Sequence, residues 1–241
     1  MSKKKVLIFG GSGSIGSAIA SELINDGFDI TIIGRNYSSL EKKSKELGCS
    51  FIVSDVTKTD ELQSSLSVCG KDIFGLVYCV GSINMKSLSS AHENDYLESF
   101  KVNTLGAVTA IKYTKDSLLK NNGSILLFSS VAARQGFTNH TIISTAKGAI
   151  EGLTVSLAAE LSPNVRVNCI APSLTESGMS KSLIANENIK KAIESLHAIP
   201  KIGHPTDHSK LAAFLIGESN TWITGQIFNI DGGRSTVRKK G

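Results

Sequence analysis

The chain has 241 residues, 41% of them hydrophobic and 20% charged, which suits one globular α/β domain spanning 1–241. Its net charge of +5 suggests a polyanion partner only until it is counted by segment. Lys3, Lys4, Lys5, Arg234, Arg238, Lys239 and Lys240 lie at the two ends, and the other 19 basic residues face 21 acids. The body therefore excludes nucleic acid as a partner, and the basic character is assigned to flexible terminal tails. No apolar run reaches membrane-spanning length, so no membrane is expected. The first one, Val6-Leu7-Ile8-Phe9, ends in glycines instead of a leader cleavage site, so a cytoplasmic protein is expected.

Taken in order, short β-rich runs alternate with longer segments of helical period, the pattern of a parallel sheet covered on both faces. Strands are expected at Val6–Phe9, Asp29–Ile33, Phe51–Val53, Gly75–Cys79, Ser124–Phe128, Val165–Ile170 and Gln226–Ile230. Helices are expected at Ile15–Asn25, Ser38–Leu47, Glu61–Val68, Tyr96–Lys120, Thr141–Leu161 and His208–Ile216. Each strand is nearly continuous in Val, Ile, Leu or Phe, as burial on both faces requires. The expected fold is a Rossmann-type, doubly wound, seven-stranded parallel sheet. The four cysteines (Cys49, Cys69, Cys79, Cys169) form no C-x-x-C pair and read as free thiols, mostly buried, with no metal site.

The turn after the first strand reads Gly10-Gly11-Ser12-Gly13-Ser14-Ile15-Gly16 and opens directly into a helix. Glycines let the backbone turn tightly and approach a pyrophosphate, whose charge then faces the helix N-terminus. Gly10, Ser12, Ser14, Ile15 and Gly16 are thus candidate cofactor-binding residues. The second strand ends in Gly34-Arg35. An acid at this strand end selects NAD, whereas a nearby arginine suits the 2′-phosphate of NADP. Arg35 makes NADP the expected cofactor, with NAD as second choice.

From the glycine turn onward the chain resembles the short-chain dehydrogenase/reductase family, whose T-G-x-x-x-G-x-G turn it matches at Gly10 and Gly16, with Phe9 for the threonine and Ser14 for the middle glycine. The resemblance implies that Asp55-Val56 contacts adenine and that Asn103 holds a water in a proton relay. It further implies that Ser130 binds the substrate oxygen and Lys147 the nicotinamide ribose. Arg166-Val167-Asn168 with Ala171-Pro172 resembles the family's R-V-N…P-G stretch, with Ser173 for the glycine and Pro172 at the cofactor. Of the family's N-N-A-G, Tyr78-Cys79-Val80-Gly81 keeps only Gly81. The closing stretch, Ile223-Thr224-Gly225-Gln226 and Asp231-Gly232-Gly233, also matches, and a homotetramer is what the resemblance suggests.

The main departure is chemical. The family's Y-x-x-x-K motif places a tyrosine proton donor four residues before Lys147, and position 143 is isoleucine. His140 stands seven residues before Lys147, which on a helix is close to two full turns and the same face. The enoyl-reductase branch of the family has its tyrosine at that spacing. Histidine exchanges protons readily at physiological pH, so His140 is the candidate donor, with Tyr78, His197 and a lysine-bound water as rivals. The expected activity is hydride transfer between NADP(H) and a small carbonyl or alcohol. The alternatives are reduction of a conjugated C=C bond and nucleotide binding without catalysis. In Met179–Pro200, used by the family as a substrate lid, Leu183, Ile184, Ile189, Ile193 and Leu196 recur at helical spacing. That stripe is expected to serve packing or subunit contact.

Overall fold

The computed structural model describes residues 3–70 and 72–238. Seven strands form one sheet: β1 (Lys5–Phe9), β2 (Asp29–Gly34), β3 (Ser50–Val53), β4 (Ile73–Tyr78), β5 (Ser124–Phe128), β6 (Arg166–Pro172) and β7 (Ile227–Ile230). All pairs are parallel, in the order β3-β2-β1-β4-β5-β6-β7. The chain thus builds outward from β1 to β3, then returns to lay β4 on the other side of β1. This reversal opens a crevice at the carboxyl ends of β1 and β4, where such sheets bind ligands.

The continuous apolar runs are explained by two cores. Leu7 and Phe9 point to one face and pack with Leu62, Ala107 and Ile150. Val6 and Ile8 point to the other and pack with Ile19, Leu40 and Ala212. Successive strand side chains alternate, so a strand buried on both faces must be apolar at every position. The first face carries α3 (Thr59–Ser67), α5 (Gly106–Lys120) and α6 (Thr141–Glu160); the second carries α1 (Ser14–Asn25), α2 (Tyr37–Leu47) and α9 (Pro205–Ile216). The last helix starts three residues before the expected His208. Pro205 suits its first turn, and the Asp207 carboxylate accepts the His204 N–H at 2.7 Å. Its other end is held by Arg166, which donates to the carbonyls of Leu215 at 2.7 Å and Gly217 at 2.9 Å.

The segment read as one helix over Tyr96–Lys120 is instead α4 (Glu93–Phe100), a wide turn at Lys101–Leu105, and α5. The Asn103 side chain takes the Ser99 carbonyl at 2.9 Å, the acceptor that the Asn103 backbone would use in an α-helix. The ladder then slips by one residue, and Gly106 N–H bonds to Lys101 O. Apolar periodicity does not register a side chain competing with the backbone.

The basic chain ends also differ from the expectation. Lys4 stacks over the Phe74 ring at 4.4 Å and pairs with Glu218, and Lys5 lies in β1 with its Nζ donating to the Cys69 carbonyl at 2.9 Å. Arg234 packs over Phe137, 4.5 Å from its ring centre. These are parts of the fold: Lys4 and Arg234 rest their charges on aromatic rings, and Lys5 is paired with a backbone carbonyl. Lys239 and Lys240 lie outside the described residues. No described helix is long and apolar enough to cross a membrane.

Candidate active site

The glycine turn is built for close approach. Gly10 has φ +75, a conformation that a side chain disfavours. A Cβ on Gly16 would lie 2.4 Å from the Gly10 carbonyl oxygen, so no larger residue fits without moving the turn. At the N-terminus of α1, Gly13 offers no side-chain cap and no acid occupies the first turn. The free N–H groups and the positive end of the helix dipole are left for an anion. Ser12 and Ser14 lie within this turn, and Ile15 lines the cleft beyond it.

Arg35 is exposed just beyond Gly34, at the end of β2. Asp55 follows β3, where its carboxylate accepts from the Thr57 N–H at 2.9 Å and the Thr57 hydroxyl at 2.8 Å. The backbone hydrogen bond from Thr57 is the chief reason its carboxyl sits below the usual range. Val56 packs against the first core, beneath Gly106. Arg35, Asp55 and Val56 thus follow neighbouring strand ends, outside the cleft that holds the other candidates.

That cleft, about 440 Å³, brings together Ser130, Lys147, Asn103, His140, Gly81 and Pro172. Lys147 emerges from α6, is 8% exposed, and donates from Nζ to the Phe128 carbonyl at 2.8 Å. Burial pulls its ammonium pKa down to about 8. A Cβ on Gly81 would sit 3.1 Å from Asn103 Oδ1 and 3.5 Å from Lys147 Nζ, which accounts for glycine at this position among otherwise altered neighbours. Thr104 fastens the wide turn to α6 through a 3.0 Å hydrogen bond to the Ala146 carbonyl, setting Asn103 beside Lys147. Ser130 Oγ accepts from the Ala132 N–H at 3.2 Å, so its own proton is free to be donated.

His140 is the residue just before α6. Although it is not itself helical, its side chain lines the same cleft as Lys147 and Ser130. Its Nδ1 lies 2.7 Å from the Thr138 carbonyl oxygen, and its ring meets Phe137 edge-on at 5.3 Å. A carbonyl only accepts, so Nδ1 carries the hydrogen, and Nε2 has no protein partner among the described residues. Ile143 is 4% exposed and occupies the cleft wall one helical turn before Lys147.

The rival side chains are spoken for. Tyr78 is 1% exposed, outside the cleft, and its hydroxyl donates to the Val102 carbonyl at 2.7 Å; burial pushes the phenol's pKa up. His197 is 2% exposed, with Nδ1 2.9 Å from the Ile193 carbonyl and Nε2 2.8 Å from Ser173 Oγ. The serine that stands for the family's glycine thus has a partner of its own. The apolar stripe divides: Leu183 of α7 (Lys181–Ile184) and Ile193 of α8 (Glu187–Ser195) line the cleft, whereas Ile189 and Leu196 are exposed. Sequence reading also missed Phe137 and Arg234 in the cleft wall. They lie far apart in the chain, and in the sequence Arg234 reads as part of the basic tail.

A family model described as enoyl-(acyl carrier protein) reductase matches residues 10–235. A tropinone reductase homolog of Arabidopsis thaliana is 29% identical over 95% of this chain and 91% of its own length. Carbonyl reductase family member 4 of Danio rerio is 30% identical over 94% of this chain and 96% of its own. Among solved structures, ElxO with NADP bound superposes with a TM-score of 0.90 at 28% identity, covering 97% of this chain and 99% of that one. With a family model and full-length relatives aligned across the glycine turn, the cleft and the final strand, the chain belongs to the short-chain dehydrogenase/reductase family of oxidoreductases.

Proposed function

We propose that the protein is an NADP(H)-dependent oxidoreductase that interconverts a carbonyl and an alcohol on a small organic substrate, with His140 in the proton-transfer role usually held by tyrosine. The observation that carries this reading is the convergence of Ser130, Lys147, Asn103 and His140 on one cleft, with Ile143 at the usual donor's position. The residues of the first turn fit a dinucleotide's pyrophosphate: a Cβ on Gly16 would fill the cradle, and α1 has no side-chain cap of its own. The NADP complex of the similar ElxO supports the same cofactor.

In this reading the turn Gly10–Gly16 holds the pyrophosphate and Arg35 the 2′-phosphate. Asp55 and Val56 border the adenine, Lys147 holds the ribose hydroxyls, and Gly81 and Pro172 flank the nicotinamide. When bound, the cofactor supplies or accepts the hydride. Ser130 donates its hydrogen to the substrate oxygen and draws electron density from the carbonyl carbon. In reduction the His140 imidazolium gives the Nε2 proton to that oxygen as its C=O π bond breaks; in oxidation neutral Nε2 takes the proton back. Asn103 holds a water between the cleft and Lys147.

A second reading, hydride addition to a conjugated C=C bond, is favoured by the description of the matching family model and by His140 seven residues before Lys147. NADPH oxidation with a panel of ketones, aldehydes and enones distinguishes the two. On any substrate the parent reduces, His140→Phe lowers kcat about tenfold or more with unchanged NADPH affinity. Normal turnover by the variant refutes the histidine's role. Absence of hydride transfer in both the parent and Ile143→Tyr leaves a nucleotide-binding protein without catalysis.

A further inference from the structure

The cleft is apolar along most of its wall, yet it carries a second cation that the proposed hydride transfer does not use. Arg234 sits in the turn after β7. The turn is fixed by Asp231, whose carboxylate accepts from the Gly233 and Ser235 N–H groups, each at 2.9 Å. Gln135 holds it from the other side, donating to the Arg234 carbonyl at 3.0 Å. The guanidinium lies on the Phe137 ring, which also meets His140 edge-on, so cation, phenyl and imidazole are in contact along the cleft wall.

A half-buried arginine ordinarily finds a carboxylate. Among the described residues, none lies within ion-pair distance of Arg234. Among the described residues its side chain makes a single long hydrogen bond, from Nη1 to Ser173 Oγ at 3.4 Å, and no described acidic residue lines the cleft. Ser173 cannot neutralise it, because a hydroxyl carries no charge, and this one is shared with His197 at 2.8 Å. Asp231 acts on the guanidinium only from beyond ion-pair distance, its carboxylate being taken by Gly233 and Ser235, so among the described residues the other N–H groups of a planar fork, suited to bidentate carboxylate, have no protein acceptor.

We propose that Arg234 determines substrate specificity by binding a carboxylate at the end of the substrate remote from the reacting carbon, so that the substrates are oxo acids or their hydroxy-acid partners with an apolar segment between the two groups. This rests on the cleft being the substrate site of the oxidoreductase reading above. Phe137 lies under the fork and keeps it aimed, while Ile143, Leu183 and Ile193 provide apolar contact for the intervening carbons.

The probes are 4-oxopentanoate, 5-oxohexanoate and 6-oxoheptanoate, each beside its methyl ester, on NADPH-saturated protein. Calorimetry reads binding and NADPH oxidation reads turnover. At least one acid binds, and shows a KM, ten-fold or more better than its ester. Arg234→Met removes that preference to within three-fold, Arg234→Lys restores part of it, and neither alters NADPH affinity. Equal acid and ester affinities in the parent overturn the proposal, and that comparison needs no variant to fold. Equal loss of NADPH affinity in Arg234→Met also overturns it, by making the arginine a cofactor ligand. If acids bind through Arg234 but no hydride moves, the clamp stands and the oxidoreductase reading fails. If hydride moves without acid preference, the reverse holds.

Discussion

Replacing Lys147 by methionine removes the cation buried between Gly81, Asn103 and the end of β5. Burial takes its ammonium pKa from the ordinary 10.5 to about 8. Each pKa unit is about 1.4 kcal/mol of difference between the two protonation states. Holding the charge in the nucleotide-free fold therefore costs roughly 3 kcal/mol at pH 7. Between about 8 and 10.5 the unfolded chain keeps a proton that the folded chain has released, so the lysine's contribution to stability rises with pH across that window and is flat below it. Methionine is of similar length and uncharged, but it gives up the 2.8 Å hydrogen bond to the Phe128 carbonyl, a loss of about 1–3 kcal/mol for a buried acceptor left unpaired. The two changes nearly cancel at pH 7, where parent and variant should lie within about 2 kcal/mol of each other. By pH 10 the parent should have gained roughly 2–3 kcal/mol on the variant. Urea unfolding of both proteins from pH 7 to 10.5 measures this; the thiols of Cys79 and Cys169, pushed up by burial, stay protonated in both folded proteins over that range, and their titration in the unfolded chains is common to both and largely drops out of the difference. Parallel stability curves would refute the buried-cation reasoning and put Lys147 in contact with water.

Gly16→Ala forces a Cβ to within 2.4 Å of the Gly10 carbonyl oxygen. It should destabilise the fold by about 1–3 kcal/mol in thermal unfolding and weaken NADPH binding at least tenfold, whereas normal binding would show that the turn gives way freely. Arg35→Ala should remove most of a preference for NADPH over NADH on the order of 1.5–3 kcal/mol, read as paired dissociation constants. Equal constants in the parent would remove Arg35 from the phosphate site.

Both the strands and the glycine turn were legible in the sequence, because their signals are local. An apolar run of four to six residues and a turn that must be free of side chains are properties of adjacent positions. Ser130, Lys147, Asn103 and His140 were found through motif resemblance at fixed spacing, and the fold brings all four to one cleft. What the sequence left open depends on contacts between distant segments. The strand order, with β4 returning beside β1, follows from packing the whole sheet. The wide turn at Asn103 exists because one side chain outcompetes the backbone for Ser99 O. Tyr78 and His197 looked like proton donors until their partners, Val102 O and Ser173 Oγ, were supplied by other elements. Arg234 and Phe137 lie nearly a hundred positions apart and have no periodicity in common. A cation close to the chain end reads as solvated tail, and only tertiary structure shows that this one rests on an aromatic ring inside the cleft.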